Sequence, residues 1–320
     1  MDSAVDGYVN QWHLIHYSTR AIGGVGLIIL EATGIEPGGR ITDKDLGIWD
    51  DSQIEGLKEI VDSCHQYGSK IGIQINHGGR KSEVLASPII APSAIAFNET
   101  YRVPTEMTKE DIKATVTKFK EAAERSLKAG FDLIELHGAH GYLISQFLSP
   151  ITNKREDEYG GSLENRVRFL KEVIEEVKTV WPESKPLLLR VSAEDYVENG
   201  NTGEIMAKLI NLVKDYGIDM VDVSTGGVAP AKISTYPGYQ IKQSEIIKET
   251  CNIPTIAGGL ITLPDMAEEI LCNNRADLVF LGRELLRNPY WTLQAAKALG
   301  EDITWLIQYE RSKVVRKGGF

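Results

Sequence analysis

The 320-residue chain has only three cysteines, and Cys64, Cys251 and Cys272 lie far apart with no Cys-x-x-Cys spacing. That scarcity argues against a disulfide scaffold, a cysteine-based zinc site and an iron–sulfur cluster, and it leaves the three as small buried hydrophobes. Basic residues are outnumbered: 35 Lys and Arg against 45 Asp and Glu give a net charge of -10. A chain this acidic has no broad positive face for a phosphate backbone, so nucleic acid is not an expected partner. Long apolar runs are missing too. The longest, VGLIIL before Glu31, is far short of a bilayer span, and the amino terminus lacks the layout of a signal peptide. No membrane partner and a cytoplasmic address are expected. No Gly-x-Gly-x-x-Gly follows a first strand, which argues against a separate nucleotide-binding domain. Neither a low-complexity linker nor a solenoid-period repeat divides the chain, so one domain over residues 1–320, with a tail over 300–320, is the expectation.

What is present is a regular alternation. With 42% hydrophobic residues the chain can bury a large core, and short β-rich runs alternate with amphipathic helical patterns throughout, as in βα units around a parallel sheet. The pattern predicts strands over Leu27–Glu31, Lys70–Asn76, Asp132–Leu136, Leu187–Val191, Met220–Val223, Pro254–Ala257 and Leu278–Leu281. Helices are predicted over Val9–Ile22, Ser52–Tyr67, Lys109–Ala129, Leu163–Val180, Glu204–Tyr216 and Asp265–Cys272. The fold class is therefore α/β, read as a (β/α)8 barrel whose first strand is missing upstream of Met1. The longest irregular stretch, Gly78–Met107, follows a strand end. It reads as an active-site flap, or as a segment forming a short hairpin over the barrel mouth.

In such a barrel, functional groups gather at the carboxyl ends of the strands. His137, His140 and Tyr142 come directly after the strand FDLIEL. The two histidines are spaced as in some zinc sites, but Glu135 is read as pointing away from His137 and no further ligand completes a set, so no metal is expected. Gln74 points opposite to Ile71, Ile73 and Ile75, toward the barrel interior or its mouth, and its amide can both donate and accept. It can serve a ligand or a buried network. Arg190 lies in the apolar strand LLLRVS, where a guanidinium needs an anion or an electron-rich acceptor; the bland partners are Glu194 and Asp195. Glycines follow the last two strands, in AGGLIT and LGRELLRNP, and let backbone N–H groups approach an anion. Gly259, Gly282 and the cation of Arg283 thus form an expected phosphate cradle. His13, His16 and His65 fall in helical patterns and read as structural.

The succession HGAHGYLISQFLSPITNKREDEYGGSLENR, residues 137–166, closely resembles the Old Yellow Enzyme family of flavin-dependent ene-reductases, and the resemblance runs from Trp12 to Arg311. It implies bound FMN and NAD(P)H as transient reductant, with an activated alkene (an enal, enone, maleimide or nitroalkene) reduced in a ping-pong cycle. It implies that His137 and His140 hold the alkene's activating oxygen and that Tyr142 donates the proton. Ala32, Gln74 and Arg190 are then flavin contacts, although Ala32 could equally be a small residue at a crowded rim. The tail sequence Gln-Tyr-Glu-Arg resembles one found in family members whose arginine crosses a dimer interface. Arg311 is accordingly a candidate substrate contact in a homodimer or homotetramer, or else part of a solvated basic terminus. The family's opening hairpin and its Ser-Pro-Met motif have no counterpart here, and Asp2 stands where a tyrosine is usual. Competing readings are a cofactor-free or interaction-only paralogue and a phosphate-binding barrel lyase or aldolase.

Overall fold

A computed structural model describes residues 2–313. Seven strands lie side by side in chain order: β1 (Leu27–Gly34), β2 (Lys70–Asn76), β3 (Leu133–Gly138), β4 (Leu187–Ser192), β5 (Met220–Ser224), β6 (Thr255–Ala257) and β7 (Leu278–Val279). Every neighbouring pair is parallel, so each return to the sheet needs a crossover, and helices supply it. The strand alternation sorts side chains onto two faces. Ile71, Ile73 and Ile75 join Leu57, Ile60 and Phe119 in the main core between sheet and helices. Leu133, Leu188 and Ile256 lie on the concave face, with Leu27, Ile29, Met220 and Phe280 packed on them.

The sheet curls without closing. Among the described residues β1 and β7 each have one strand neighbour. A cavity of about 710 Å³ lies between them, lined by Leu27 and Ile29 on one side, by Leu278 and Phe280 on the other, and by Arg190 and Asp222.

The outer helices start and stop where local chemistry tells them to. Thr108 and Asp111 form a reciprocal capping box at the start of a helix over Lys109–Ala129, and Gly130, at φ +91°, ends it. Asn10 likewise caps the helix Gln11–Ile22. The stretch expected as one helix over 163–180 is two, Leu163–Arg166 and Arg168–Lys178, with the Arg166 guanidinium turned inward onto Asn201 Oδ1 at 3.0 Å and onto the carbonyl of Leu148. The pattern over 204–216 is a helix only over Gly203–Asn211, followed by a 3-10 turn at Lys214–Tyr216.

The segment 78–107 contains no hairpin. Ile90–Ala91 and Thr105–Glu106 pair in parallel, and buried arginines pin the rest. Arg80 donates to the carbonyls of Ile95 at 3.2 Å and Ala96 at 3.1 Å. Arg155 donates to those of Pro92 at 3.1 Å and Met107 at 2.6 Å. In both arginines the Nη1 group gives charge-assisted donors to carbonyls that a short hairpin would otherwise have to pair. Cys64 and Cys251 are buried as expected, whereas Cys272 is exposed near the end of the helix Pro264–Cys272.

Candidate active site

The β3 end delivers the first group. His137 is buried, and its Nδ1 accepts the backbone N–H of Ala139 at 3.3 Å, which leaves the proton on Nε2 as a donor. His140 takes the left-handed conformation, φ +57°, in a turn completed by Gly141 at φ +73°. Its backbone N–H donates to Ser192 Oγ at 2.8 Å, and its Nε2 lies 2.8 Å from Ser224 Oγ. The turn holds the two imidazoles edge to face with centroids 5.1 Å apart, and the Tyr142 ring packs edge-on against His137 at 4.9 Å. The structure thus brings these three predicted residues into one cluster. Burial, then the charges of His140, Arg190 and Lys81, hold the His137 imidazolium well below its ordinary range; burial, Arg190 and Lys81 lower His140 to about 3. Both rings are neutral N–H donors at physiological pH. Burial raises the Tyr142 phenol above its ordinary value.

Lys81, which sequence reasoning passed over, completes this wall. Its Nζ donates to the carbonyls of His140 at 2.9 Å and Gly227 at 3.2 Å and lies 5.1 Å from the Tyr142 ring centroid. Burial, then the neighbouring Arg80, lowers it to about 8.

The concave face of the sheet carries a polar layer below that cluster. Arg190 pairs in register with His137 on one side and Asp222 on the other. Its Nε is 3.5 Å from Asp222 Oδ2, and its guanidinium stacks 4.9 Å over Phe280. Glu194 and Asp195 are not its partners: Asp195 instead accepts from Ser149 Oγ and Asn201 N, both at 2.8 Å. Gln74 Nε2 donates to Glu135 Oε1 at 2.7 Å. Glu135, read from sequence as pointing away from His137, shares its face, because residues two apart in a strand point the same way. The signal for Glu135 and Asp222 was the one that exposed Arg190, a charge inside an apolar strand. Ala32 lies partly buried beside a register shift between Leu30 and Thr33.

At the ends of β6 and β7 a second cavity, about 170 Å³, is lined by Gly259, Gly282, Arg283, Arg287 and Arg190. Gly259 sits at φ +107°, which favours glycine, and a Cβ on Gly282 would meet nothing within 4 Å, so that backbone faces open space. Gly258 makes room for Phe280, whose ring lies 2.3 Å from where its Cβ would be. The three predicted cradle residues are therefore together. Arg311 is not with them; it is exposed on the 3-10 turn Glu310–Ser312 and lines neither cavity. Of the tail, residues 314–320 lie outside the described residues, as does Met1. Among the described residues no three His, Cys, Asp or Glu side chains are grouped to hold a metal, and no helix is long and apolar enough to cross a membrane.

Comparison with known proteins gives this geometry its context. The model of the NADH:flavin oxidoreductase / NADH oxidase family matches residues 1–302. The chain belongs to that family. It is 61% identical over 307 residues to an NADPH dehydrogenase of Clostridium acetobutylicum, covering 96% of this chain and 90% of that one. Morphinone reductase superposes with a TM-score of 0.82 at 28% identity, over 95% of this chain and 84% of that one. 2-Naphthoyl-CoA reductase superposes with a TM-score of 0.87 at 26% identity over 93% of this chain, which spans 49% of that longer one. The protein is an Old Yellow Enzyme-type, FMN-dependent NAD(P)H oxidoreductase. Its residues fit the cofactor on their own terms. A glycine-walled, arginine-lined cavity suits a phosphate, and the buried Arg190 Nε has no hydrogen-bond partner among protein atoms, so it is available to an electron-rich ring edge.

Proposed function

We propose that this oxidoreductase reduces activated C=C bonds in a ping-pong cycle at one site. Bound FMN would supply a two-electron carrier between NAD(P)H and the alkene. Gly259, Gly282 and Arg283 would hold its phosphate by backbone N–H groups and a forked cation, and Ala32 would let the flat ring approach β1. Gln74 and Arg190 would take the polar edge of its ring, the first offering amide donor and acceptor groups and the second a positive charge.

The observation that carries the alkene reading is the pair of neutral imidazoles His137 and His140 on one wall, with Tyr142 packed against them. Two N–H donors on a carbonyl or nitro oxygen withdraw electron density from the β-carbon. Neutral donors do so without a counter-ion. Tyr142, whose raised pKa keeps it protonated, gives up its proton only to a basic carbon, as the α-carbon becomes once hydride has arrived. The substrates are then enals, enones, maleimides or nitroalkenes, and Arg311 of a second subunit completes the site in a homodimer or homotetramer.

The test is an anaerobic double-mixing experiment. Enzyme is reduced with one equivalent of NADPH, freed of nicotinamide, and mixed with N-ethylmaleimide. Stoichiometric reoxidation with formation of the succinimide is expected; reduced enzyme that only dioxygen can reoxidise would overturn the proposal.

A further inference from the structure

Beneath the histidine wall, two buried oxygens have no hydrogen-bond partner: Glu135 Oε2 and Asp222 Oδ1. They belong to carboxyls on the two strands that flank Arg190, β3 and β5, and these carboxyls lie close enough on the concave side of the sheet to act on each other. Both residues are buried, Glu135 at 0% and Asp222 at 3% exposure. Two ionised carboxylates in that position would repel in a low-dielectric interior, and each would leave one acceptor unsatisfied. One proton between them removes both problems, because it converts two orphan acceptors into a single O–H···O bond.

The other oxygens say which carboxyl bears the proton. Asp222 Oδ2 faces the Arg190 guanidinium at 3.5 Å, so Asp222 is the anion of that pair. Glu135 Oε1 accepts from Gln74 Nε2 at 2.7 Å, as the carbonyl oxygen of a neutral acid would. The result is a run of neighbouring polar groups, Gln74 to Glu135 to Asp222 to Arg190, spanning four strands. We propose that Glu135 and Asp222 share one proton at neutral pH, and that this proton positions Gln74 and Arg190 and sets the charge beneath the flavin. The claim about the flavin rests on the reading above, in which Gln74 and Arg190 touch the ring; the claim about the proton does not.

Glu135 and Asp222 are positioning residues, since they act through Gln74 and Arg190. With the proton in place, Asp222 and Arg190 cancel and Gln74 presents its carbonyl outward. Once the proton is lost at high pH, the layer gains a negative charge, which opposes electron uptake by the ring. The charged groups acting on the pair are Arg190 from β4 and the two carboxyls themselves, while Gln74 from β2 is neutral. On β1, the Glu31 carboxylate has His13 Nε2 3.3 Å away.

Two measurements test this separately. Infrared difference spectra of protein isotope-labelled at its glutamate carboxyls should show a protonated glutamic acid C=O stretch at neutral pH, absent in Glu135→Gln. Absence of that band from the wild type would overturn the shared proton. The midpoint potential of bound FMN should carry an extra inflection on the alkaline side, where the proton leaves. Glu135→Gln, whose amide donates to Asp222 and accepts from Gln74 but cannot ionise, should abolish the inflection while retaining FMN. Glu135→Ala should weaken FMN binding on the order of tenfold, because partners on both sides are left unsatisfied. Asp222→Asn should raise the potential by leaving Arg190 uncompensated. An inflection that persists in Glu135→Gln, or Gln and Ala variants that are equally impaired, would refute the coupling. If the acid band is present but Gln74→Ala and Arg190→Ala both keep FMN at wild-type affinity and potential, it is the assignment of ring contacts that fails.

Discussion

At the residue scale, the chemistry depends on groups that the fold keeps in unusual protonation states. His137 and His140 are held neutral by burial, so neither should contribute an ionisation to the alkene half-reaction from neutral pH up to the region where Lys81, lowered to about 8, loses its proton. Below that value Lys81 is a cation near Tyr142 and favours the phenolate left by proton transfer; above it the help is lost. The alkene step should therefore be flat in pH and then decline above about 8, and Lys81→Met should remove the decline. A stopped-flow pH series on pre-reduced enzyme checks this. Arg190 was legible in the sequence because a guanidinium in LLLRVS demands a partner, and the histidine cluster because it follows a strand end. The carboxylates were harder to read: parity puts Glu135 on the His137 face, against the expectation stated for it, and nothing local reveals that Asp222 meets it from two strands away. Lys81 lay hidden in a stretch with no periodicity to place its side chain.

At the scale of elements, the turn after β3 aims the cluster of His137, His140 and Tyr142, and glycine makes that turn possible. Gly141 is at φ +73°, and a Cβ there would lie 2.2 Å from the carbonyl oxygen of Gly227. Gly141→Ala should thus push the turn off Gly227 and displace His140, costing about 1–3 kcal/mol of stability. Thermal unfolding measures the loss, and the Michaelis constant for alkene should rise while FMN content holds, because the cradle at β6 and β7 is elsewhere in the sheet. Helix and strand existence was readable from periodicity and caps; where elements differ from expectation, tertiary contacts decide. The break near Val167 goes with Arg166 turning inward, and the 78–107 segment is organised by Arg80 from within it and by Arg155 from outside it. Neither long-range contact leaves a local signature.

At the scale of the whole molecule, two consequences follow from where the charges sit. Folded His140 takes a proton only near pH 3 whereas the unfolded chain takes it at 6.5, so its contribution to stability is full above 6.5 and is lost as pH falls toward about 3. Glu36, held at about 2 by His77 and Lys118, acts in the same direction from 4.5 downward. Urea midpoints should accordingly fall on acidification through this range, and His140→Asn should flatten the upper part of the slope. Arg311 is exposed and lines neither cavity of its own chain, so the proposed substrate contact would have to come from a second subunit. Arg311→Ala should raise the Michaelis constant for alkene without altering assembly. Mixing it with His137→Ala subunits should restore activity if exchange yields one intact site per hybrid dimer; no recovery despite verified exchange would remove Arg311 from the site. If the two histidines act on the alkene rather than on the flavin, half-reaction kinetics of His137→Ala separate the two roles. Flavin content and its reduction by NADPH should stay within a few-fold of wild type while reoxidation by maleimide slows by about 10²–10³; equal loss of both half-reactions, or loss of bound FMN, would contradict it.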